Sequence, residues 1–228
     1  MSKPYVVGID IGGTNTVFGI VDARGHVVAS NSVKTKKHVD FDDYISDLHD
    51  GLSQLLKSHD MEDQIQGIGI GAPNGNYYTG EIINPPNLPW GPVIPLAEKV
   101  SKSFGGIPVA VTNDANAAAV GEMTYGAARG MKDFIMITLG TGVGSGIVIN
   151  GQLVYGSDGF AGELGHVVVK RNNGASAVAV APDVWRHTAP QPECRALPAN
   201  SLSSATSPRC SAISPSKTSL QKISTTRR

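Results

Sequence analysis

Asp114 is the side chain on which chemistry is most readily built. It sits just after the apolar run Val109-Ala-Val-Thr112 and Asn113, and ahead of an alanine-rich stretch that ends in Gly121-Glu122. That pattern predicts a strand that runs out at Thr112 and a helix that begins just beyond Asn113 and Asp114. An Asp at the mouth of a helix can cap its free backbone N–H groups, and the same carboxylate set over a ligand can take a proton from a hydroxyl. Taken alone, the stretch favours the cap. The rest of the chain turns the balance toward a base, because glycine loops suited to phosphate lie on both sides of it.

The first of these loops is Asp10-Ile-Gly12-Gly13-Thr14-Asn15, between the apolar runs Tyr5–Ile11 and Thr16–Val21. Its backbone N–H groups and hydroxyl, without bulky side chains, suit a phosphate; a tight hairpin and nothing more is the other reading. The second, Gly140-Thr141-Gly142-Val-Gly144-Ser-Gly146, again separates two apolar runs, Phe134–Leu139 and Ile147–Ile149. Two such hairpins can hold a polyphosphate between two domains, whereas one alone would carry little weight. A further glycine-rich segment ends in Gly162-Glu163-Leu-Gly-His166, where Glu163 and His166 could both reach one ligand. Singly, each reads as a surface carboxylate or a structural histidine. Asn87, in Asn84-Pro-Pro-Asn87-Leu-Pro-Trp90, stands near an aromatic as in a sugar pocket, although a proline loop pinned to the core by its Trp has the same appearance.

The elements that must position these residues alternate between strand and helix. Strands are expected over Tyr5–Ile11, Thr16–Val21 and Val27–Ser30, with Asp22-Ala-Arg-Gly25 as a turn. Ile45, Leu48, Leu52, Leu55 and Leu56 recur at helical spacing after Asp42-Asp43. Another buried strand covers Gln66 to Ala72, a short helix carries Leu96, Val100 and Phe104, and Asn150-Gly151 marks a hairpin. The class is α/β.

The 228 residues hold 19 Lys+Arg and 19 Asp+Glu, so net charge predicts neither nucleic acid nor a membrane surface as partner. With 40% hydrophobic residues and no stretch long enough to span a bilayer, the chain reads as one large or two smaller globular domains. No signal-peptide core follows Met1, so a cytoplasmic location is expected. Cys194 and Cys210 form no disulfide framework.

Five motifs in order resemble the ROK family of sugar kinases and related repressors, most of all its bacterial glucokinases. They are Asp10-Ile-Gly-Gly-Thr14, Gly71-Ala-Pro73, Asn87-Leu-Pro-Trp90, Asn113-Asp-Ala-Asn-Ala117 with Gly121-Glu122, and Leu139–Gly146 leading to Gly162–His166. The resemblance covers Tyr5 to about Arg171. It implies the two-domain actin-like ATPase and sugar-kinase (ribonuclease H-like) fold, with an N-terminal domain over 1–112 and the start of a nucleotide domain over 113–173. It implies ATP-dependent phosphorylation of a hexose such as glucose, with Mg²⁺ and a homodimer. Asp114 would be the general base, with Asn87, Asn113, Glu163 and His166 holding the sugar. Asp10, Gly12, Gly13, Thr14, Asn15, Thr141 and Gly142 would hold ATP. A sugar-responsive repressor is the alternative, but only nine residues precede Asp10, too few for a helix-turn-helix; a sugar-binding protein without activity is disfavoured by Asp114.

After Asn173 the composition changes to Ala/Val alternation and then Ser, Pro, Thr and Arg without period. The family continues there into a structural zinc site, Cys-x-Cys-(x)4-Cys followed by Leu-Glu, for which His166 would be the fourth ligand. A disordered tail over 174–228 would account for the composition. So would loss of one nucleotide near Gly174-Ala175. Shifted by one base, Ser176 through Ala181 permit Gln-Cys-Gly-Cys-Gly-Arg, and Asp183 through Arg186 permit Gly-Cys-Leu-Glu. An ordered run of that length favours the frameshift. The nucleotide domain is then incomplete, its sheet face is exposed, and the chain as written is expected to be inactive.

Overall fold

A computed structural model describes residues 4–85, 88–139 and 142–167. The chain opens as a β-meander: β1 (Tyr5–Ile11), β2 (Thr16–Asp22) and β3 (Val27–Val33). Helix α1 (Phe41–Lys57) follows, then β4 (Ile65–Ala72), the short pair β5 (Ile82–Ile83) and β6 (Val93–Ile94), and α2 (Leu96–Ser103). Next come β7 (Val109–Asn113), α3 (Asp114–Thr124), β8 (Phe134–Leu139), β9 (Val143–Ile149) and β10 (Gln152–Leu153). β3, expected to stop at Ser30, runs on to Val33 because its whole length pairs with β2.

The first sheet has the order β3-β2-β1-β4-β7, antiparallel over the meander and parallel from β1 to β4 to β7. Helix α1 lies on one face. Its leucine stripe, Leu48, Leu52, Leu55 and Leu56, packs with Val7, Ile9, Ile11, Phe18 and Ile20 to make the core. The helix starts cleanly because Asp40 caps it, accepting from Asp42 N–H at 2.8 Å and Asp43 N–H at 3.2 Å. Helix α2 stops before Gly105 and Gly106, both in the left-handed region at φ +67° and +86°.

One buried polar cluster sits in this core beside the first glycine hairpin. The Thr16 hydroxyl lies 2.9 Å from both the Thr35 hydroxyl and the Tyr44 phenol, and all three residues are fully buried. Burial pushes the Tyr44 phenol well above its ordinary range, so it stays neutral and serves as a hydrogen-bonding group. Trp90 of the proline loop packs against this core. Its ring lies 4.3 Å from Tyr44 and 5.2 Å from Phe41, and Nε1–H donates to the His38 carbonyl at 3.1 Å.

The second sheet, β10-β9-β8, is antiparallel, and Asn150-Gly151 makes its expected tight turn at φ +53° and +75°. One face packs on α3, while Ile135, Ile137 and Leu139 on the other are 56%, 49% and 70% exposed. The described residues all lie within one compact unit. Among them, no helix is long and apolar enough to cross a membrane.

Candidate active site

Parallel pairing brings the site together. The register β1–β4–β7 sets Asp10 beside Gly71 and Gly71 beside Thr112, with Ala72 beside Asn113 one step further on. Ligands of open α/β sheets bind outside these carboxyl ends of parallel strands. Helix α3 starts where β7 stops and leans over the edge of β4. A Cβ on Gly71 would stand 3.3 Å from the Ala117 methyl and 3.6 Å from the Asp114 Cα, so a glycine there lets α3 approach.

The cap of α3 differs from the expectation in one respect. Asn113, the last residue of β7, is the N-cap, and its Oδ1 accepts the Ala115 N–H at 2.8 Å. Asp114 is the first helical residue; its Oδ1 also lies 2.8 Å from that N–H, and its carboxylate is exposed to the cavity. With Asn113 acting as cap, the carboxylate of Asp114 is available for chemistry.

Asp10, Asp114 and Thr138 line one open cavity of about 370 Å³, together with Gly71, Ala115 and Ala118. Loss of hydration, and then the charge of Asp114, push the Asp10 carboxyl above its ordinary range although part of it remains open to water. The sign of the stability effect follows. A carboxyl whose folded value is raised favours the fold fully at pH below its unfolded value, and that contribution is lost as pH rises through the folded value. Asp10→Asn is therefore expected to raise the thermal midpoint more at pH 7 than at a pH below the carboxylate range. A gain that was larger in acid would contradict the shift.

The first glycine hairpin is closed by Gly12 N–H donating to the Asn15 carbonyl at 3.0 Å, and its Thr14 carbonyl accepts the Lys36 N–H at 3.4 Å. The strand on one side of it carries Asp10 and the strand on the other begins at buried Thr16. Gly13, Thr14 and Asn15 form its tip, small and polar as a phosphate requires. Of the second hairpin, Thr141 lies outside the described residues, while Gly142 precedes β9. Thr138, not singled out from the sequence, brings the end of β8 to the same cavity as the two carboxylates.

The remaining candidates converge on Asn113. Its Nδ2 donates to Glu163 Oε1 at 3.5 Å, and Glu163 Oε2 lies 3.7 Å from His166 Nε2. One carboxylate thus spans the strand-end asparagine and the histidine, about half of whose side-chain surface is exposed. Asn87 lies outside the described residues. Among the described residues no group of three or more His, Cys, Asp or Glu could hold a metal ion, and the segment after Asn173, where the zinc ligands other than His166 are expected, lies outside them.

Comparison with known proteins gives one family. The ROK family's sequence model matches residues 6–185. A glucokinase of Halalkalibacterium halodurans is 39% identical over 177 residues, 77% of this chain and 53% of the relative. The xylose repressor of Caldicellulosiruptor bescii is 33% identical over 166 residues, 72% of this chain and 41% of the repressor. Among solved structures, the ROK family glucokinase of Streptomyces griseus in complex with glucose and AMPPNP is 34% identical with a TM-score of 0.68, over 80% of this chain and 56% of that one. The chain spans about half the length of the curated relatives it matches.

Proposed function

The chain belongs to the ROK family and has its actin-like sugar-kinase fold, and from that premise we propose that its in-frame parent transfers the γ-phosphoryl group of ATP to a hexose, glucose first among them. The observation that carries the reading is that Asp114 directly follows Asn113, the strand-end residue that bonds Glu163, itself beside His166. A sugar hydroxyl is a weak nucleophile at neutral pH, so a carboxylate within reach removes its proton as the bond to phosphorus forms. The Asn113 amide, Glu163 and His166 supply donors and acceptors for the ring hydroxyls, as Asn87 would from the proline loop. The hairpin of Gly12 to Asn15, with Thr141 and Gly142 from the second, cradles the phosphates, and most of the catalysis is positioning and charge stabilisation. Asp10, which shares the cavity with Asp114, would be the carboxylate to hold a Mg²⁺ ion, which would supply charge stabilisation to the phosphates. An intact Asp114 favours a kinase over a sugar sensor.

A panel of glucose, mannose, fructose and N-acetylmannosamine in a coupled ADP-release assay tests this on the in-frame protein. Glucose is expected to give the highest kcat/KM, and no ADP release with any of the four would overturn the kinase reading.

The break after Asn173 belongs to the same proposal. The family match extends to residue 185, across the segment where a one-base shift would restore the cysteines. If a base was lost, the codon of Arg186 is AGA or AGG, since a CGN codon would put Ala where the family has Glu, and the codon of Ser176 ends in T. The coding DNA decides this directly. A CGN codon at Arg186 would return 174–228 to an ordinary extension. With the frame restored, the protein is expected to bind about one zinc per chain through His166 and three thiolates, and chelation should lower its stability.

A further inference from the structure

Asn76 touches none of the proposed ligand contacts, yet it holds the loop that carries two of them. It follows β4 in the turn Asn74-Gly75-Asn76 and is 3% exposed. Its Oδ1 accepts Tyr78 N–H at 2.9 Å and Thr79 N–H at 3.3 Å, which folds its own turn around the side chain. Its Nδ2 donates to the Asp158 carbonyl at 2.7 Å, a partner 82 residues further along the chain. The next peptide lies flat on the amide: Gly159 is at φ +89°, and a Cβ there would come 2.7 Å from Asn76 Nδ2. Two neighbours reinforce the contact. The Tyr78 hydroxyl donates to the Gly156 carbonyl at 2.9 Å, and Tyr77 stacks on Tyr155 with centroids 4.2 Å apart and rings 9° from parallel.

The far end of the same loop is also held, since the Ser145 hydroxyl on β9 donates to the Gly162 carbonyl. Glu163 is the next residue. The loop over 155–162 is therefore fastened at its start to the turn after β4 and at its end to β9, and Glu163 emerges from it toward Asn113. Free, a loop this rich in glycine would carry a large conformational entropy, which these fastenings reduce.

We propose that Asn76 is a positioning residue for the hexose site, setting Glu163 and His166 against Asn113 through the loop that it clamps. The proposal rests on the reading of those three residues as hexose contacts. Asn76→Asp separates the roles of the side chain. It keeps an oxygen for Tyr78 and Thr79 N–H but turns the donor to Asp158 into a second acceptor facing a carbonyl.

The test is calorimetric titration of the in-frame protein with glucose and, separately, with a non-hydrolysable ATP analogue, alongside amide exchange of residues 159–164. Asn76→Asp is expected to raise the glucose Kd about tenfold, speed exchange in the loop and leave the nucleotide Kd within about twofold. Glu163→Gln is the parallel control. If Glu163→Gln weakens glucose and Asn76→Asp does not, the positioning role falls while the hexose site stands. If Glu163→Gln changes nothing, or the wild-type in-frame protein binds no glucose, the hexose reading falls and the proposal with it. Equal loss of both ligands in Asn76→Asp would make Asn76 a general folding residue and overturn the proposal.

Discussion

Asp114→Asn lowers hexose phosphorylation by the in-frame protein by roughly 10²-fold or more and leaves hexose affinity within about twofold. The substitution is close to isosteric and keeps an oxygen for the Ala115 N–H, the contact that Asp114 makes at 2.8 Å. The N-cap is unaffected because it belongs to Asn113, so α3 should start where it does now. What is lost is the capacity to accept the sugar proton. The Asp10 carboxyl, raised partly by the charge of Asp114, should move back toward its ordinary value in the variant. Steady-state kinetics read against a hexose titration separate the two effects: kcat should collapse while binding persists. A variant that phosphorylated glucose at near the wild-type rate would leave Asp114 as a residue of the first helical turn and nothing more.

Much of this site was legible in the sequence because its parts lie where regular elements end. The apolar runs of β1 and β7 and the alanine stretch of α3 mark their own boundaries, which places Asp10 and Asp114 at strand and helix ends before any coordinates are seen. Which of two adjacent Asx residues caps α3 was not legible. Asn113 and Asp114 are equally suited by type, and only the path of the backbone out of β7 decides that Asn113 turns its oxygen onto Ala115 N–H. How Trp90 meets the core was not legible for the same reason, since its tilted ring contacts with Tyr44 and Phe41 depend on where α1 passes. Asn76 left no local signal, since its decisive partner is a backbone carbonyl 82 residues away. Thr138 was hidden in the alternation of β8, where it reads as one more strand residue facing α3.

Gly12→Val should weaken an ATP analogue by about 10- to 100-fold while leaving hexose affinity within about twofold. The hairpin is closed by the Gly12 N–H donating to the Asn15 carbonyl at 3.0 Å. A Cβ built on Gly12 would stand 2.9 Å from that same oxygen, closer than carbon and oxygen pack. A branched side chain must therefore open the turn, and the base of the turn is held. Thr16 is fully buried and bonded to Thr35 and Tyr44, and Lys36 N–H ties the Thr14 carbonyl to the chain after β3. Distortion is confined to the tip, where Gly13, Thr14 and Asn15 would meet the phosphates. The hexose contacts Asn113, Glu163 and His166 stand on β7 and the later glycine loop, so they are spared. Titration of the variant with the analogue and with glucose, beside its thermal midpoint, gives the answer. Parallel loss of both ligands with a lowered midpoint would mean that the first hairpin is a folding element and would remove it from the nucleotide site.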